Sequence, residues 1–375
     1  MKIVADENIP LAEAFFESAG EVVRLPGRNL NADDVHDADA LLVRSVTRVD
    51  EALLAGSKVK FVGTCTIGMD HLDQAYLNKA GITFDNAPGC NANSVVEYVY
   101  AALCRLGVDW RNRSVGIIGC GNVGGALYRA LKSQGVECRC YDPLLSRDQN
   151  PDLAALEEVL QCDIVSMHTP LTTEGSHPSR HMMGYEQLNK LRDGAVLLNC
   201  GRGAVIDNQA LSRLLDERDD LQVVLDVWEW EPEISVSLLH QVQLASPHIA
   251  GYSYDGKLKG TSMIYQAFCR HFGLNEQTTL TDVLPATENN RLTLPVGDVW
   301  QVICKLIEQV YDIHADDRAL RDMVAASAEP VGVGFDRLRK QYPVRREFNN
   351  YIVPASGNPA IDGPLQALGF TLESR

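Results

Sequence analysis

Short apolar runs alternate with polar or helix-like stretches along most of the chain. Near the N-terminus these runs are MKIVADE, ALLVRS and VKFVGT, which are rich in Val, Leu and Ile. Such runs, each followed by a helical or polar segment, are typical of a parallel sheet whose two faces are covered by helices. The pattern therefore predicts an α/β domain at the start of the chain.

The same alternation returns after a helical stretch. Apolar side chains recur at helical spacing in VVEYVYAALCRL, for which Asn93 or Ser94 is a suitable N-cap. Beyond this linking helix, strand-like runs again alternate with helices or loops, which predicts a second α/β domain. These runs are VGIIGCG, ECRCYDPL, CDIVSMHTP, AVLLNCGRG and LQVVLDVWEWEP.

The pattern changes from about residue 281. VWQVICKLIEQVYDIHADDRALRDMV is long and helical, FDRLRKQYPVRREF is basic, and no glycine fingerprint recurs. We therefore expect a third, α+β domain at the C-terminus. The expected boundaries are 1–93 with 256–280 for the first domain, 94–255 for the second and 281–375 for the third.

Composition and charge exclude several classes of protein. The 375 residues are 45% hydrophobic, and the formal net charge of −16 argues against a general affinity for nucleic acid or anionic membranes. Asp6 and Glu7 lie where a secretory signal needs an apolar run, and no apolar run of about 18 residues follows. We expect a cytoplasmic protein without nucleic-acid or membrane partners.

Ten cysteines are scattered through the predicted strands and helices, without a C-x-x-C pair. Reduced thiols that pack as small apolar side chains explain this distribution better than disulfides do. We also expect no metal site, because no ligand spacing typical of one is present.

A glycine-rich motif carries the clearest chemical signal. In VGIIGCGNVGGAL, Gly119, Gly121 and Gly124 follow an apolar strand and open a helix, with Asn122 and Val123 between them. The first glycine permits a tight turn, the second lets the backbone approach a pyrophosphate, and the third allows close packing of helix on strand. We predict a dinucleotide-binding site at this loop.

An acidic residue then selects the dinucleotide. Asp142 ends the run VECRCYD, 18 positions beyond Gly124. An acid at this distance accepts hydrogen bonds from the adenosine ribose and repels a 2′-phosphate. The expected cofactor is NAD rather than NADP.

Hydride transfer also needs a group that takes up the hydroxyl proton, and histidine is suited to this. His248 in SPHIAG follows an apolar strand and a proline, and Glu231 in WEWEP is a candidate partner. From these residues alone, catalysis is only slightly favoured over a structural loop histidine. Solvated or packed side chains are expected for His36, His177, His181, His240, His271 and His314.

Five motifs in order resemble those of the D-isomer specific 2-hydroxyacid dehydrogenases: VGIIGCGNVG, HTPLT, LLNCGRGAVID, LDVWEWEP and SPHIAG. The resemblance implies two Rossmann-like parallel-sheet domains and NAD-dependent oxidation of a 2-hydroxy acid. It implies that Arg202 binds and polarises the substrate, that Glu231 pairs with His248, and that His248 is the acid/base. The residues that it places at the nicotinamide end of the cofactor are Thr169, Cys200, Asp226 and Gly251.

Two hydroxyl side chains, Ser45 and Thr66, lie in the segments expected to bind the substrate. GTCTIGMDHLD resembles the family's loop for the substrate carboxylate, with Thr66 where glycine is common. Over essentially the whole chain, the arrangement is similar to a branch of the family that oxidises a small phosphorylated 2-hydroxy acid and forms a cytoplasmic homodimer through its C-terminal domain. The expected substrate-binding residues are Arg44, Ser45, Thr66, Ile67, Gly68 and Tyr252.

Basic residues cluster in the C-terminal region. Arg337, Arg339 and Lys340 are expected on a solvated helix face. Arg345 and Arg346 follow a proline and have apolar neighbours, which favours an organised guanidinium pair suited to a phosphate. We expect this pair to bind the substrate phosphate in the partner subunit's site.

Two alternatives stay open at this point. Phosphoglycerate dehydrogenases and other D-2-hydroxyacid dehydrogenases share the core motifs, although the former usually carry a different C-terminal regulatory domain. Some relatives act as NADH-responsive corepressors and keep the Arg, Glu and His set. The set alone therefore does not prove metabolic turnover.

Overall fold

The computed structural model describes residues 1–374, which contain 13 β-strands and 16 α-helices. The strands are β1 (Lys2–Asp6), β2 (Glu21–Leu25), β3 (Ala40–Val43), β4 (Phe61–Thr64), β5 (Thr83–Asn86), β6 (Val115–Ile118), β7 (Cys138–Tyr141), β8 (Ile164–Met167), β9 (Val196–Asn199), β10 (Gln222–Leu225), β11 (Leu244–Ala245), β12 (Ile352–Pro354) and β13 (Thr371–Glu373). The helices are α1 (Ala12–Phe16), α2 (Ala32–Val35), α3 (Glu51–Leu54), α4 (Gln74–Ala80), α5 (Ala92–Arg105), α6 (Asn122–Ser133), α7 (Leu156–Leu160), α8 (Tyr185–Asn189), α9 (Asn208–Glu217), α10 (Val236–Gln241), α11 (Tyr254–Phe272), α12 (Leu280–Val283), α13 (Val299–Val310), α14 (Ile313–Ala326), α15 (Val331–Lys340) and α16 (Pro359–Ala367).

The chain divides into two compact units. The first unit comprises Met1–Asn91 and Ser253–Ala286, and the second comprises Ala92–Tyr252 and Thr287–Arg375. Among the described residues, no helix combines the length and the apolar character that crossing a membrane requires.

The first unit contains a five-stranded parallel sheet in the order β2-β1-β3-β4-β5. Helix α11, which follows more than 160 residues after β5, returns to this unit and buries Tyr265 and Phe268 against Phe16. Gly63 of β4 is required here, because a Cβ atom would lie 2.3 Å from the Ile264 side chain. The predicted α/β architecture of the first part of the chain is confirmed.

The second unit is built on a six-stranded parallel sheet in the order β11-β10-β9-β8-β6-β7. The chain runs outward from β6 to β7, then returns to β8 on the other side of β6. Doubly wound sheets bind ligands outside the carboxyl ends of the strands at such a reversal. The second Rossmann-like sheet is therefore confirmed, and its topology places a binding crevice beside β6.

The C-terminal region is a mixture of helices and a two-stranded parallel sheet, β12–β13, as expected. The predicted long helix is two helices, α13 and α14. The second begins at a new N-cap, because the Asp312 side chain accepts a hydrogen bond from the His314 N–H at 3.0 Å. Val302 and Leu306 of α13 are buried in one core with Tyr98 of α5. Residues 287–374 thus belong to the second compact unit, and the three-domain boundaries stay a prediction.

One pair of cysteines departs from the expectation of reduced thiols. Cys104 of α5 and Cys304 of α13 form a disulfide, and their Cα atoms are 5.3 Å apart. The expectation was wrong for this pair because helix packing brings together two cysteines that lie 200 residues apart in sequence. The other eight cysteines lie outside this disulfide, and all of them except Cys200 are buried.

Candidate active site

The predicted cofactor and catalytic residues lie just beyond the carboxyl ends of the strands in the second unit. Parallel strands end at one edge of a sheet, so residues that follow them are brought together there. This edge carries Gly119 after β6, Asp142 after β7, Thr169 after β8, Cys200 and Arg202 after β9, Asp226 and Glu231 after β10, and His248 after β11.

The glycine loop has the geometry that a pyrophosphate needs. Gly119 has φ +83, and a Cβ atom there would lie 2.8 Å from Thr169 Oγ1. A Cβ atom on Gly124 would lie 1.9 Å from the Gly119 carbonyl oxygen, so only glycine lets α6 approach the strand this closely. Gly121 is the N-cap of α6, and no side chain caps the first N–H groups of this helix. Asn122 and Val123 lie in the first turn of α6. The helix start can therefore receive a phosphate group.

Asp142 is held beside this loop. Its Oδ2 accepts a hydrogen bond from the Cys120 N–H at 2.9 Å, and its Oδ1 accepts from the Leu144 N–H at 3.0 Å. The side chain is half-buried at the end of β7. Its position fits the recognition of a ribose next to a pyrophosphate bound at α6.

Replacing Asp142 with serine should weaken NAD affinity by roughly 10- to 100-fold, the usual range for losing hydrogen bonds to a charged group. The preference for NAD over NADP should fall as well, because the charge that repels a 2′-phosphate is removed. The ratio of kcat/KM for the two cofactors measures this. Equal use of both cofactors by the wild type would contradict the ribose role.

His248 and Glu231 form a close pair. His248 Nδ1 lies 2.7 Å from Glu231 Oε2, and the Trp228 N–H donates to Glu231 Oε1 at 2.7 Å. Burial raises the pKa of Glu231, but the charge and hydrogen bond of His248 and the Trp228 N–H more than offset it, so the pKa lies below its usual value. The His248 side chain is 29% exposed. An ionised carboxylate therefore holds one ring nitrogen while the ring stays accessible.

Asp226 organises the turn that carries His248. Its Oδ1 accepts hydrogen bonds from the Ser246 hydroxyl at 2.6 Å and from the N–H groups of Ile249 and Ala250 at 2.7 and 3.0 Å. Burial raises the pKa of Asp226, against the effect of these bonds. His248 adopts φ 56, a left-handed conformation that the surrounding bonds stabilise. Sequence reasoning placed Asp226 near the nicotinamide and missed this positioning role.

Arg202 lies on the turn after β9 and is half-buried. Its Nη1 donates to the Gly201 carbonyl at 2.9 Å, and Asn199 Nδ2 donates to the Arg202 carbonyl at 3.1 Å. A Cβ atom on Gly203 would lie 1.9 Å from the Trp228 carbonyl carbon, so the Arg202 turn packs directly on the loop that leads to Glu231. The three predicted catalytic residues thus lie on the turns after three neighbouring strands: Arg202 after β9, Glu231 after β10 and His248 after β11.

The remaining residues expected at the nicotinamide end lie on neighbouring turns. Thr169 Oγ1 donates to the Ile118 carbonyl at 3.2 Å, and the Cys200 N–H donates to the Met167 carbonyl at 3.0 Å. Gly251 follows Ala250 on the His248 turn, and the Tyr252 N–H closes that turn by donating to the Ile249 carbonyl at 2.8 Å. The predicted residues are therefore grouped at one edge of the sheet.

A second histidine–carboxylate pair, His181 and Glu229, has a structural role. His181 Nε2 lies 2.6 Å from Glu229 Oε1, and Asp207 completes a group of three whose polar atoms lie within 4.8 Å of one another. Glu229 Oε2 also accepts from the Asn208 N–H at 3.2 Å, and Asp207 caps α9 by accepting from the Gln209 N–H at 3.0 Å. These bonds tie the start of α9 to the loop after β10, which agrees with a structural histidine.

The substrate-binding residues expected in the first unit follow β3 and β4. Arg44 Nε lies 3.2 Å from Asp6 Oδ1 at the end of β1, and Ser45 is exposed. Thr66 Oγ1 lies 2.8 Å from Thr64 Oγ1 and donates to the Gly68 carbonyl at 3.3 Å. The Ile67 carbonyl accepts from Asn86 Nδ2 at 2.7 Å. Sequence reasoning missed Asp6 as the partner of Arg44, although Asp6 ends β1 and Arg44 follows the adjacent strand β3.

Arg345 and Arg346 do not form the expected phosphate-binding pair for a partner subunit's site. Their side chains are buried, with 5% and 7% of the residue surface exposed. Arg345 donates to the Ala250 carbonyl at 2.6 Å and to the Ser94 hydroxyl, and its guanidinium lies 4.2 Å from the centre of the Tyr311 ring. The expectation that the pair reaches a partner subunit's site was wrong, because both side chains are built into the interior of their own chain. Through its bond to the Ala250 carbonyl, Arg345 stabilises the turn that carries His248.

Comparison with known proteins relates this geometry to a family. Residues 94–250 match the D-isomer specific 2-hydroxyacid dehydrogenase NAD-binding domain, and residues 283–369 match a domain of unknown function, DUF3410. An erythronate-4-phosphate dehydrogenase of Cellvibrio japonicus (strain Ueda107) is 59% identical over 375 residues, which is 99% of each chain. The chain belongs to the erythronate-4-phosphate dehydrogenase family. Another family member, from Teredinibacter turnerae, is 51% identical over 100% of each chain.

A solved structure shows the same fold with the cofactor bound. The NAD⁺-bound 3-phosphoglycerate dehydrogenase of Entamoeba histolytica superposes with a TM-score of 0.64 at 27% identity, covering 73% of this chain and 95% of that one. The resemblance to D-2-hydroxyacid dehydrogenases is confirmed, and so is NAD as the expected cofactor. The two family members above extend the similarity through the C-terminal region.

Proposed function

We propose that the protein oxidises 4-phospho-D-erythronate at C2 to (R)-3-hydroxy-2-oxo-4-phosphooxybutanoate, with NAD as the hydride acceptor, in the biosynthesis of pyridoxal 5′-phosphate (vitamin B6). The observation that carries this proposal is the 59% identity to an erythronate-4-phosphate dehydrogenase over 99% of each chain, including the C-terminal region. The same observation favours this activity over that of phosphoglycerate dehydrogenase.

The residues that would hold NAD fit the cofactor. The glycine loop and the start of α6 would hold the pyrophosphate, and Asp142 would hold the adenosine ribose. The cofactor would supply the hydride acceptor for oxidation at C2. The turns around Thr169, Cys200 and Gly251 would lie at its nicotinamide end.

His248 removes the hydroxyl proton as the hydride leaves. With Nδ1 facing Glu231, Nε2 is the nitrogen that takes up this proton, and the ring becomes an imidazolium. The carboxylate of Glu231 stabilises that positive charge at 2.7 Å and fixes the orientation of the ring. Asp226 acts through the turn and keeps His248 in place.

Arg202 binds the substrate carboxylate and lies near the oxygen on C2. A guanidinium can hold a carboxylate through two parallel hydrogen bonds, which fixes the direction in which the C2 hydrogen points. We further propose Arg44, Ser45, Thr66, Ile67, Gly68 and Tyr252 as substrate-binding residues.

We propose in addition that the protein is a cytoplasmic homodimer that associates through its C-terminal region. Support comes from three large apolar side chains in that region, Val296, Val333 and Val344, which are 94%, 54% and 74% exposed in the single chain. In the proposed homodimer, the partner chain would cover apolar surface in this region.

A substrate panel tests the proposed activity. NADH formation should be observed with 4-phospho-D-erythronate, and kcat/KM should exceed the values for 3-phospho-D-glycerate and D-lactate. A higher kcat/KM with 3-phospho-D-glycerate would favour the phosphoglycerate dehydrogenase activity. NADH binding without turnover of any of the three acids would favour a corepressor-like protein.

A further inference from the structure

Helix α15, in the region that matches the domain of unknown function, packs against the loop that carries Glu231. A Cβ atom on Gly332 would lie 2.3 Å from Glu233 Oε1 and 3.2 Å from the Pro232 side chain. The start of the helix is therefore in direct contact with this loop. The C-terminal region therefore adjoins the acid/base pair within its own chain.

Arg339, on the last turn of α15, lies beside Tyr252. Its guanidinium carbon is 5.6 Å from the centre of the Tyr252 ring, and the Tyr342 ring lies 5.8 Å from the Tyr252 ring in an edge-on arrangement. The Nε atom of Arg339 is buried and has no hydrogen-bond partner among residues 1–374. An arginine donor is thus held in place next to the turn that carries His248, four residues before Tyr252.

The solvated position expected for Arg339 was wrong, although it holds for the neighbouring Arg337. Arg337 is exposed, and its Nη2 lies 2.6 Å from Glu329 Oε1. Two residues along an α-helix turn the side chain by about 200°, so Arg339 points to the opposite side of α15. This opposite side is the one that contacts Tyr252.

Arg339 brings a positive charge close to the acid/base pair. It is close enough to Glu231 for its charge to help lower the pKa of that carboxyl, after the larger effects of burial, His248 and the Trp228 N–H. A phosphate dianion bound beside Arg339 would lie next to this positive charge.

We propose that Arg339, held against Tyr252, binds the phosphate group of the substrate and sets the preference for a phosphorylated 2-hydroxy acid. This inference rests on the proposed function. Arg202 takes the carboxylate end of the substrate, and the phosphate, two carbons beyond C2, needs a cation of its own. A planar guanidinium matches the geometry of phosphate oxygens, and the Tyr252 hydroxyl adds a donor next to it.

The test compares two ligands that differ only in the phosphate. Dissociation constants for 4-phospho-D-erythronate and D-erythronate are measured by calorimetry on the NADH-loaded protein, so that no turnover is needed. Arg339→Met should weaken binding of the phosphorylated acid by roughly 10- to 100-fold and leave D-erythronate binding within about two-fold. Arg337→Met, which removes the same charge from the exposed side of α15, is the matched control and should change neither value.

Equal weakening of both ligands by Arg339→Met, or no change in either, would overturn the proposal. Arg339→Gln gives a more conservative variant should the methionine variant not fold, and unchanged NADH affinity verifies the fold of each. Arg339→Lys, which keeps the charge but not the planar donors, should recover part of the selectivity. Failure of the proposed function is a separate result, because it appears as wild-type protein that does not oxidise 4-phospho-D-erythronate.

Discussion

Replacing His248 with alanine should lower kcat by roughly 100- to 10,000-fold, the range over which general acid/base groups contribute. The hydroxyl proton then has no acceptor next to Glu231, and the carboxylate can no longer stabilise a neighbouring positive charge. NAD affinity should change little, because the glycine loop and Asp142 lie on other turns of the sheet edge. Steady-state kinetics together with a direct NAD-binding measurement separates the two effects.

Two further variants make the His248 result specific. His240→Ala removes an exposed histidine at the end of α10 and should leave kcat unchanged. Glu231→Gln keeps the shape of the partner but removes its charge, so its loss of kcat should be smaller than that of His248→Ala. Nearly normal kcat in His248→Ala would contradict the role of His248 as the acid/base.

Replacing Arg202 with methionine should lower kcat/KM by roughly 100- to 1,000-fold, as expected for losing a donor that stabilises charge in the transition state. The methionine keeps much of the aliphatic volume, but it cannot hold a carboxylate in a fixed direction. Arg202→Lys should also be strongly impaired, because an ammonium group lacks the planar pair of donors. Stopped-flow or steady-state measurement of NADH formation gives the value.

Arg213→Met is the matched control for Arg202. Arg213 lies on α9 in the same unit, is exposed, and has its Nε 3.1 Å from Glu217 Oε1. It should retain wild-type kcat/KM with 4-phospho-D-erythronate. An Arg202→Met enzyme that performs as well as this control would mean that another residue binds the carboxylate.

Local sequence patterns predicted the parts of the fold and site that depend on neighbours in sequence. The buried strands β3 and β6 are continuous apolar runs, and Gly124 is required by contacts within one strand–turn–helix unit. The pairing of Glu231 with His248 was expected from the family motifs. The hydrogen-bond geometry adds that Asp226 holds the histidine turn, a role that no spacing in the sequence indicates.

Long-range packing determined the parts that the sequence did not predict. The preceding proline and apolar neighbours of Arg345 and Arg346 favoured a phosphate-binding pair. Ser94 and Ala250, which lie 251 and 95 residues away in sequence, instead bind the Arg345 guanidinium. The Cys104–Cys304 bond likewise depends on how α13 lies against α5. Charge spacing alone could not distinguish Arg337 from Arg339, because the direction of α15 relative to the Glu231 loop decides which side is buried.

Isotopic transfer tests most directly whether the hydride leaves from C2 of 4-phospho-D-erythronate. The substrate labelled with deuterium at C2 is incubated with NAD and the protein, and the NADH that forms is examined by mass spectrometry. We expect that the NADH carries the deuterium and that the phosphorylated product has lost it. Unlabelled NADH, or deuterium that remains in the product, would contradict oxidation at C2.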